Sequence, residues 1–318
     1  MLVTHEKPAT TQIAIVGGGS IGAAFAIVHA RVGRTVRLFD PDPARRSVLR
    51  DEIAGSLTEL AAFDLLETDA DEVLSHLEIV DSPARALAGA DLVHECAPED
   101  LELKRRLVGE LDAAAVRSAV IASASSAMTA SEIAGSVAGR ERCLVAHPGN
   151  PPFLLPVIEI VPAPFTSPRA VESASSILSA AGLSPVRLHK ELKGFVFNRL
   201  QGAVLREAYC LVRDGVVDVD DVDRVVRDGL GLRWAVVGPF ETIDLNTRGG
   251  IERHAELLGP AYAAMGAERG QHDPWTPELV ASVAAQRRVL LPAKDRDARV
   301  RWRDRQLMRL LAARTSGS

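Results

Sequence analysis

Residues 12–22, Gln-Ile-Ala-Ile-Val-Gly-Gly-Gly-Ser-Ile-Gly, decide the fold of this chain. The apolar run at the start of this stretch predicts a buried β-strand, and it leads directly into a G-x-G-x-x-G turn. An alanine-rich segment follows the turn and predicts a helix. Strand, glycine turn and helix in this order predict a dinucleotide-binding unit, because the N–H groups at the helix N-terminus can bind a pyrophosphate.

Each glycine of the turn has its own expected role. Gly17 permits the tight turn, Gly19 lets the backbone approach a pyrophosphate, and Gly22 lets the helix pack close to the strand. A second apolar run, residues 35–39, ends at Asp40. The Asp40 carboxylate would accept hydrogen bonds from the adenosine ribose and repel a 2′-phosphate, so the sequence favours NAD over NADP.

Composition bounds the class of protein. The chain has 318 residues, 47% hydrophobic and 25% charged, with a net charge of −5, as expected for a globular protein of about two domains. This mild acidity argues against nucleic acid or an anionic membrane as the main partner.

Cys96, Cys143 and Cys210 are too widely spaced for a metal cluster or disulfide framework, so we interpret each as a small buried apolar residue. With no signal peptide pattern and no long apolar stretch, we expect a cytoplasmic protein.

Apolar runs alternate with helical patterns through the first half of the chain. Strands are predicted at 12–17, 35–39, 77–80, 91–95, 119–123, 142–146, 156–161 and 184–189. Helices are predicted at 21–32, 43–54, 56–74, 99–111, 130–138 and 167–181. This alternation predicts an α/β class fold, with a Rossmann-type doubly wound, mainly parallel sheet in an NAD-binding domain over residues 1–190.

The pattern changes in the second half. Six prolines lie between residues 148 and 164, and we interpret that stretch as edge strand and loop because proline cannot donate to a ladder. From Gly194 onward apolar residues recur at helical spacing, so residues 191–318 are expected to form an all-helical domain. The basic segment 299–314 carries an apolar stripe and is interpreted as a packed helix.

Three segments carry side chains suited to oxidising an alcohol. Residues 122–126 follow a predicted strand, His147 is followed by Glu159 twelve residues on, and Asn198 lies where the helical part begins. Histidine can take a hydroxyl proton and a carboxylate can orient it, while serine and asparagine donors can polarise a carbonyl. Each residue also has a structural interpretation. Ser125 and Asn198 would then cap helices, His147 would be an ordinary partly buried histidine, and Glu159 would be a salt-bridged surface acid.

Taken together, these motifs resemble a known family. Ser125-Ser126, His147-Pro-x-Asn-Pro-Pro with Glu159, and Gly-Phe-Val-x-Asn198-Arg-Leu resemble the 3-hydroxyacyl-CoA dehydrogenase superfamily, above all its lambda-crystallin / L-gulonate 3-dehydrogenase branch. The resemblance covers nearly the whole chain. Its most specific parts are residues 96–104, 147–152 and 229–241.

The resemblance implies roles for individual residues. His147 would be the general base, with Glu159 as its partner. Ser125 and Asn198 would bind the substrate oxygen, although Ser125 lies 22 residues before His147, one more than expected in the acyl-CoA branch. The implied NAD contacts beyond the glycines are Ser20, Ile21, Asp40, Glu99 and Lys104. The superfamily also implies a homodimer built mainly from the helical domain.

Charge and one arginine bear on the substrate. Residues 51–84 contain no lysine or arginine, whereas similar acyl-CoA enzymes place basic residues there, so this segment would repel CoA phosphates unless CoA binds through other contacts. We hypothesise that Arg233 binds a free substrate carboxylate in bidentate fashion, the alternative being a cap on a helix C-terminus. Trp234 keeps carnitine possible, because an indole face can hold a quaternary ammonium.

The sequence therefore predicts an NAD-dependent dehydrogenase that oxidises the 3-hydroxyl of a small L-3-hydroxy acid, L-gulonate-like by resemblance. One set of alternatives is enzymatic, namely an L-3-hydroxyacyl-CoA dehydrogenase or an L-carnitine dehydrogenase. The other set has no turnover, namely a crystallin-like structural protein or a redox-sensing NAD-binding module. The presence of all four candidate catalytic side chains disfavours a purely structural protein.

Overall fold

The computed structural model describes residues 11–270, 276–296, 298–299, 302 and 313. The chain divides into two compact units, residues 1–204 and 205–318. This division falls inside a helix, Phe197–Arg213, and lies C-terminal to the predicted boundary at residue 190. The division into functional domains at residues 1–190 and 191–318 stays a prediction.

An eight-stranded sheet forms the centre of the first unit. Its strands are β1 (Gln12–Val16), β2 (Thr35–Phe39), β3 (Leu77–Val80), β4 (Leu92–Glu95), β5 (Val120–Ser123), β6 (Cys143–Pro148), β7 (Val157–Pro162) and β8 (Ser184–Arg187). They lie in the order β3-β2-β1-β4-β5-β6-β7-β8. Neighbouring strands are parallel except β6 and β7. The first six strands have the Rossmann order, which confirms the predicted fold class.

Helices cover both faces of this sheet. They are α1 (Ser20–Ala30), α2 (Pro43–Ala62), α3 (Ala70–Ser75), α4 (Pro83–Leu87), α5 (Leu101–Ala114), α6 (Ala130–Ala134) and α7 (Pro168–Ser179), with a 3₁₀ turn at Arg140–Arg142. Along β1, Ile13 and Ile15 pack into one hydrophobic cluster, while Ala14 and Val16 pack into a second. The strand is therefore apolar on both faces, as a doubly covered parallel sheet requires.

The described part of the second unit is helical. Its elements are the end of α8 (Phe197–Arg213), α9 (Val219–Val225), a π-helical turn (Val226–Leu230), α10 (Gly231–Trp234), α11 (Pro239–Asn246), α12 (Gly250–Glu268), α13 (Pro277–Leu290) and a 3₁₀ turn (Ala293–Asp295). Among the described residues no helix is long and apolar enough to cross a membrane. Most of the predicted helix at 299–314 lies outside the described residues.

The predicted bounds of two helices are wrong. The predicted helices at 43–54 and 56–74 are instead one helix, α2, followed by a loop and the short α3. Gly55 does not interrupt α2, because buried leucines and isoleucine on both sides of it, Leu49, Ile53 and Leu57, continue one apolar face. Tertiary packing outweighs the roughly 1 kcal/mol that a glycine costs inside a helix.

The proline-rich stretch is not an edge strand. The second strand of this stretch, β7, lies inside the sheet, between β6 and β8. Its prolines do not interrupt the ladder, because Pro156 precedes the strand and Pro162 is its last residue. Of the three cysteines, Cys143 is buried as predicted, whereas Cys96 and Cys210 are partly exposed.

Candidate active site

The glycine turn lies at the carboxyl end of β1, where the strand order reverses between β1 and β4. Gly17 has φ of 107°, and a Cβ there would lie 2.5 Å from the carbonyl oxygen of Cys96. A Cβ on Gly22 would lie 1.9 Å from the carbonyl oxygen of Gly17. A Cβ on Gly19, in contrast, would meet nothing within 4 Å. Packing thus demands the first and third glycines, while open space in front of Gly19 fits a dinucleotide pyrophosphate.

Asp40 is held beside this turn. Its Oδ2 accepts a hydrogen bond from the N–H of Gly18 at 2.7 Å, and its Oδ1 accepts one from the N–H of Asp42 at 2.9 Å. A carboxylate has about four acceptor sites, so capacity remains for ribose hydroxyls. Ser20 and Ile21 open α1, at the helix N-terminus that a pyrophosphate would meet.

A buried histidine–glutamate pair lies on β6 and β7, two strands along the sheet from β4. The register of β6 and β7 sets His147 directly opposite Glu159, and His147 Nδ1 lies 2.8 Å from Glu159 Oε2. The ring of Phe195 packs beside the imidazole, with ring centroids 5.3 Å apart. Cross-strand pairing therefore brings together two residues that are twelve apart in the chain.

The second oxygen of Glu159 binds the start of α8. Its Oε1 accepts hydrogen bonds from the N–H of Val196 at 2.7 Å and of Phe197 at 3.0 Å. Burial acts to raise the pKa of Glu159, but the hydrogen bonds from His147 and from these two N–H groups outweigh it and lower that pKa. An ionised Glu159 only accepts, so His147 donates to it through Nδ1, and in the neutral form of the imidazole Nε2 is then the acceptor.

The structure separates the two adjacent serines. Ser125 is fully buried; its hydroxyl donates to Glu99 Oε2 at 2.9 Å and accepts from the N–H of Met128 at 2.9 Å. Ser126 is exposed and lines the same cavity as His147. The sequence prediction named Ser125, and its catalytic role stays a prediction; of the two serines, Ser126 is the one that lines the cavity with His147. Spacing also points to Ser126, which lies 21 residues before His147.

The cavity itself has a volume of about 430 Å³. Its lining residues are Ile21, Ala124, Ser126, His147, Pro148, Asn150, Leu155, Phe197, Asn198 and Gln201. Asn198 Nδ2 donates to the carbonyl oxygen of Ser126 at 2.8 Å, which ties the start of α8 to the loop after β5. Sequence reasoning missed Asn150, Phe197 and Gln201 as lining residues, because the hairpin and the helix face that carry them become neighbours only in the folded sheet.

Glu99 and Lys104 behave differently from each other. Glu99 is exposed and accepts hydrogen bonds from Ser125 Oγ and from the N–H of Ser126. The Lys104 side chain is buried, and its Nζ donates to both carboxylate oxygens of Glu95 and to a backbone carbonyl.

Arg233 lies in the second unit, in the last turn of α10. Its Nε is buried and has no hydrogen-bond partner among the described residues. A guanidinium with a free, desolvated N–H is suited to binding a carboxylate. Its position near a helix C-terminus keeps the capping interpretation open.

A Rossmann sheet with a glycine turn at its switch point is typical of dinucleotide-dependent oxidoreductases, and a histidine beside a carboxylate is chemically suited to take a proton from a CH–OH group. The 3-hydroxyacyl-CoA dehydrogenase NAD-binding domain matches residues 12–192, and the C-terminal domain of the same family matches residues 194–289. The chain belongs to this 3-hydroxyacyl-CoA dehydrogenase family.

Individual relatives are similar over most of their length. A lambda-crystallin homolog from Bos taurus is 39% identical over 314 residues, covering 94% of this chain and 94% of that protein. An L-carnitine dehydrogenase from Pseudomonas sp is 36% identical over 282 residues, covering 87% and 83%. The solved structure of 5-formyl-3-hydroxy-2-methylpyridine 4-carboxylic acid 5-dehydrogenase, an NAD+-dependent dismutase, has a TM-score of 0.71 at 27% identity, covering 90% of this chain and 98% of that chain.

Proposed function

We propose that this protein oxidises the 3-hydroxyl of a small, polar L-3-hydroxy acid such as L-gulonate to the 3-keto acid, with NAD as the hydride acceptor. The observation that carries the proposal is the buried His147–Glu159 pair, which borders a cavity that Ile21 of the cofactor turn also lines. Membership of a dehydrogenase family supports the reaction type. The L-gulonate-like substrate is our own proposal.

In this mechanism His147 Nε2 takes the proton of the substrate hydroxyl. The ionised Glu159 stabilises the imidazolium that forms, and the N–H groups of Val196 and Phe197 keep Glu159 ionised. Ser126 and Asn198 hydrogen-bond the substrate oxygen as it becomes a carbonyl. Bound NAD supplies the acceptor for the hydride.

Two amides support a polar substrate. Asn150 and Gln201 line the cavity, and no protein hydrogen bond to either side chain is found within the described residues. Amides in such positions can both donate to and accept from hydroxyl groups on the distal carbons of a sugar acid. An L-3-hydroxyacyl-CoA substrate is the runner-up, favoured by the family and disfavoured by the acidic segment 51–84. An L-carnitine substrate is favoured by the L-carnitine dehydrogenase relative.

We propose Arg233 as the ligand of the substrate carboxylate, supported by its buried, unpartnered Nε. Arg233→Met should raise KM for a free acid by about 100-fold, because a bidentate charged contact would be lost. Arg233→Lys is the matched control, since it keeps the charge and loses the planar fork. Unchanged steady-state kinetics in Arg233→Met would leave Arg233 as a helix cap.

The first experiment follows NADH formation by absorbance. Purified protein is supplied with NAD and, one at a time, L-gulonate, L-carnitine, L-3-hydroxybutyrate and L-3-hydroxybutyryl-CoA, with His147→Ala as the control. Turnover of a free acid that disappears in His147→Ala supports the proposal. Turnover of the thioester alone would contradict the proposal and identify the protein as an acyl-CoA dehydrogenase acting on the 3-hydroxyl. NADH binding without any turnover would favour a protein that binds the dinucleotide without catalysis.

Gln201 tests the substrate class separately. Gln201→Met keeps the shape and helix propensity of the side chain but removes its donor and acceptor. We expect kcat/KM for L-gulonate to fall about 10-fold, while L-3-hydroxybutyrate, which lacks the distal hydroxyls, is oxidised as before. An equal loss of kcat/KM with both acids would show that Gln201 does not bind the distal hydroxyl groups.

A further inference from the structure

We propose that Glu52 on α2 is a second determinant of coenzyme choice, which acts by holding Arg45 in an ion pair and so keeping it from the 2′-phosphate of NADP. Asp40 repels that phosphate directly, whereas Glu52 occupies an arginine that could otherwise bind it. This inference goes beyond the proposed function, because it concerns the dinucleotide and holds whichever acid is oxidised.

The peptide group of Gly18 lies between a carboxylate and a guanidinium. Asp40 Oδ2 accepts a hydrogen bond from the N–H of Gly18 at 2.7 Å, and Arg45 Nε donates to the carbonyl oxygen of Gly18 at 2.7 Å. Since Asp40 is the predicted ligand of the adenosine ribose, Arg45 lies beside the predicted ribose site. In dinucleotide-binding folds an arginine near this acid accommodates the 2′-phosphate of NADP.

Glu52 occupies the end of this guanidinium. Arg45 Nη1 donates to Glu52 Oε1 at 2.6 Å, and Arg45 Nη2 donates to Glu52 Oε2 at 2.5 Å. Arginine binds a phosphate with the same two parallel hydrogen bonds. A 2′-phosphate would therefore compete with Glu52 for these two nitrogen atoms, and it would also meet the negative charges of Glu52 and Asp40.

The Arg45–Glu52 pair is charged and open to solvent. The hydrogen bond from Arg45 lowers the pKa of Glu52, and the hydrogen bond to Glu52 raises the pKa of Arg45. The Arg45 side chain is 27% exposed and the Glu52 side chain is 50% exposed. An exposed ion pair contributes little to stability. Glu52→Gln should therefore release Arg45 without unfolding the chain.

The next arginine in the chain is held in a different way. Arg46 Nη1 donates to the carbonyl oxygens of Asp40 at 2.7 Å and of Pro41 at 3.2 Å. These hydrogen bonds fix the turn after β2, and they do not involve Glu52. Arg46 is the alternative cation for a 2′-phosphate, so the test has to distinguish it from Arg45.

The test measures the dissociation constants of NADPH and NADH by fluorescence titration and compares their ratio. The starting variant is Asp40→Ser, which removes the direct repulsion. Adding Glu52→Gln should raise the preference for NADPH by a further factor of about 10, because Arg45 can then form charge-assisted hydrogen bonds to the phosphate.

Asp51 provides the matched control. It is exposed and lies next to Glu52 on the same helix. Asp51→Asn removes an equal charge but leaves the Arg45–Glu52 pair in place. Added to Asp40→Ser, it should change the ratio by less than about 3-fold, because an exposed charge without a contact is screened.

A third substitution identifies the cation. Added to Asp40→Ser/Glu52→Gln, Arg45→Met should abolish the gain in NADPH preference, whereas Arg46→Met should keep it to within about 3-fold. The gain should also shrink at high salt, because the contact that produces it is ionic.

Three results would overturn the proposal. Equal gains from Glu52→Gln and Asp51→Asn would show that only the overall charge matters. A gain that survives Arg45→Met would assign the phosphate to another cation, and no gain in a folded Asp40→Ser/Glu52→Gln protein would show that Arg45 does not reach it. If Asp40→Ser does not fold, Asp40→Asn, which keeps one acceptor oxygen, replaces it in every comparison. These titrations need no substrate, so they decide the question even if the wild type oxidises none of the acids.

Discussion

At the scale of single residues, the two adjacent serines differ in burial. Ser125 is enclosed and bonded to Glu99, while Ser126 lines the cavity. We expect Ser126→Ala to lower kcat by about 30-fold with little change in Tm, because it removes a hydrogen bond made only in the transition state. Ser125→Ala should instead lower Tm, since it removes the hydrogen bonds that the buried Ser125 hydroxyl makes to Glu99 and to the N–H of Met128. Kinetics and thermal unfolding of the two variants check this; the reverse pattern would support the sequence-based choice of Ser125.

Glu159 links the catalytic pair to acid stability. Its pKa is lowered in the folded protein, so the ionised carboxylate stabilises the fold above the pH at which the unfolded chain titrates, near 4.5. That stabilisation is lost as pH falls through the lower folded value. The Tm difference between wild type and Glu159→Gln should therefore be constant near neutral pH and shrink in acid. A difference independent of pH would contradict the lowered pKa.

At the scale of elements, two glycines of the cofactor turn give opposite predictions. Gly22→Ala should unfold the turn or the whole first unit, because its Cβ would overlap the carbonyl oxygen of Gly17. Gly19→Ala should fold normally, since its Cβ meets nothing within 4 Å. NADH affinity should nevertheless fall at least about 10-fold, because the methyl group takes the space of the pyrophosphate. Tm and fluorescence titration separate the two effects, and normal NADH binding by Gly19→Ala would mean that the pyrophosphate lies elsewhere.

The local apolar pattern was enough to predict the bounds of the strands, but it did not predict the length of the connecting helix α2 or the order of the strands in the sheet. Each predicted strand agrees with the observed one to within two residues, because a buried parallel strand reads as a short apolar run. The unbroken α2 and the interior place of β7 were missed, since helix length depends on packing and strand neighbours depend on topology. His147 and Glu159 were predicted as a pair by family resemblance. That Asn150 and Gln201 line the cavity could be known only from the fold, which decides what each side chain meets.

At the scale of the whole molecule, a homodimer through the second unit stays a prediction. Three residues of α8, Leu205, Tyr209 and Val212, recur at helical spacing and are exposed, Tyr209 by 76%. Such an apolar stripe is suited to a partner chain. Sedimentation equilibrium should give twice the mass of one chain, and Tyr209→Arg should shift the equilibrium to the monomer. A wild-type protein that stays monomeric would contradict the prediction, and a dimer unaffected by Tyr209→Arg would move the interface elsewhere.

The antiparallel pairing of β6 and β7 has a consequence for how such an enzyme can be remodelled. His147 and Glu159 are locked by strand register, whereas residues 149–156 between the strands form a loop that contributes Asn150 and Leu155 to the cavity wall. Under the proposed mechanism, the groups that transfer the proton and the groups that contact the substrate are thus separable parts of one hairpin. Exchanging this eight-residue segment between relatives offers a route to new substrates that leaves the chemistry intact.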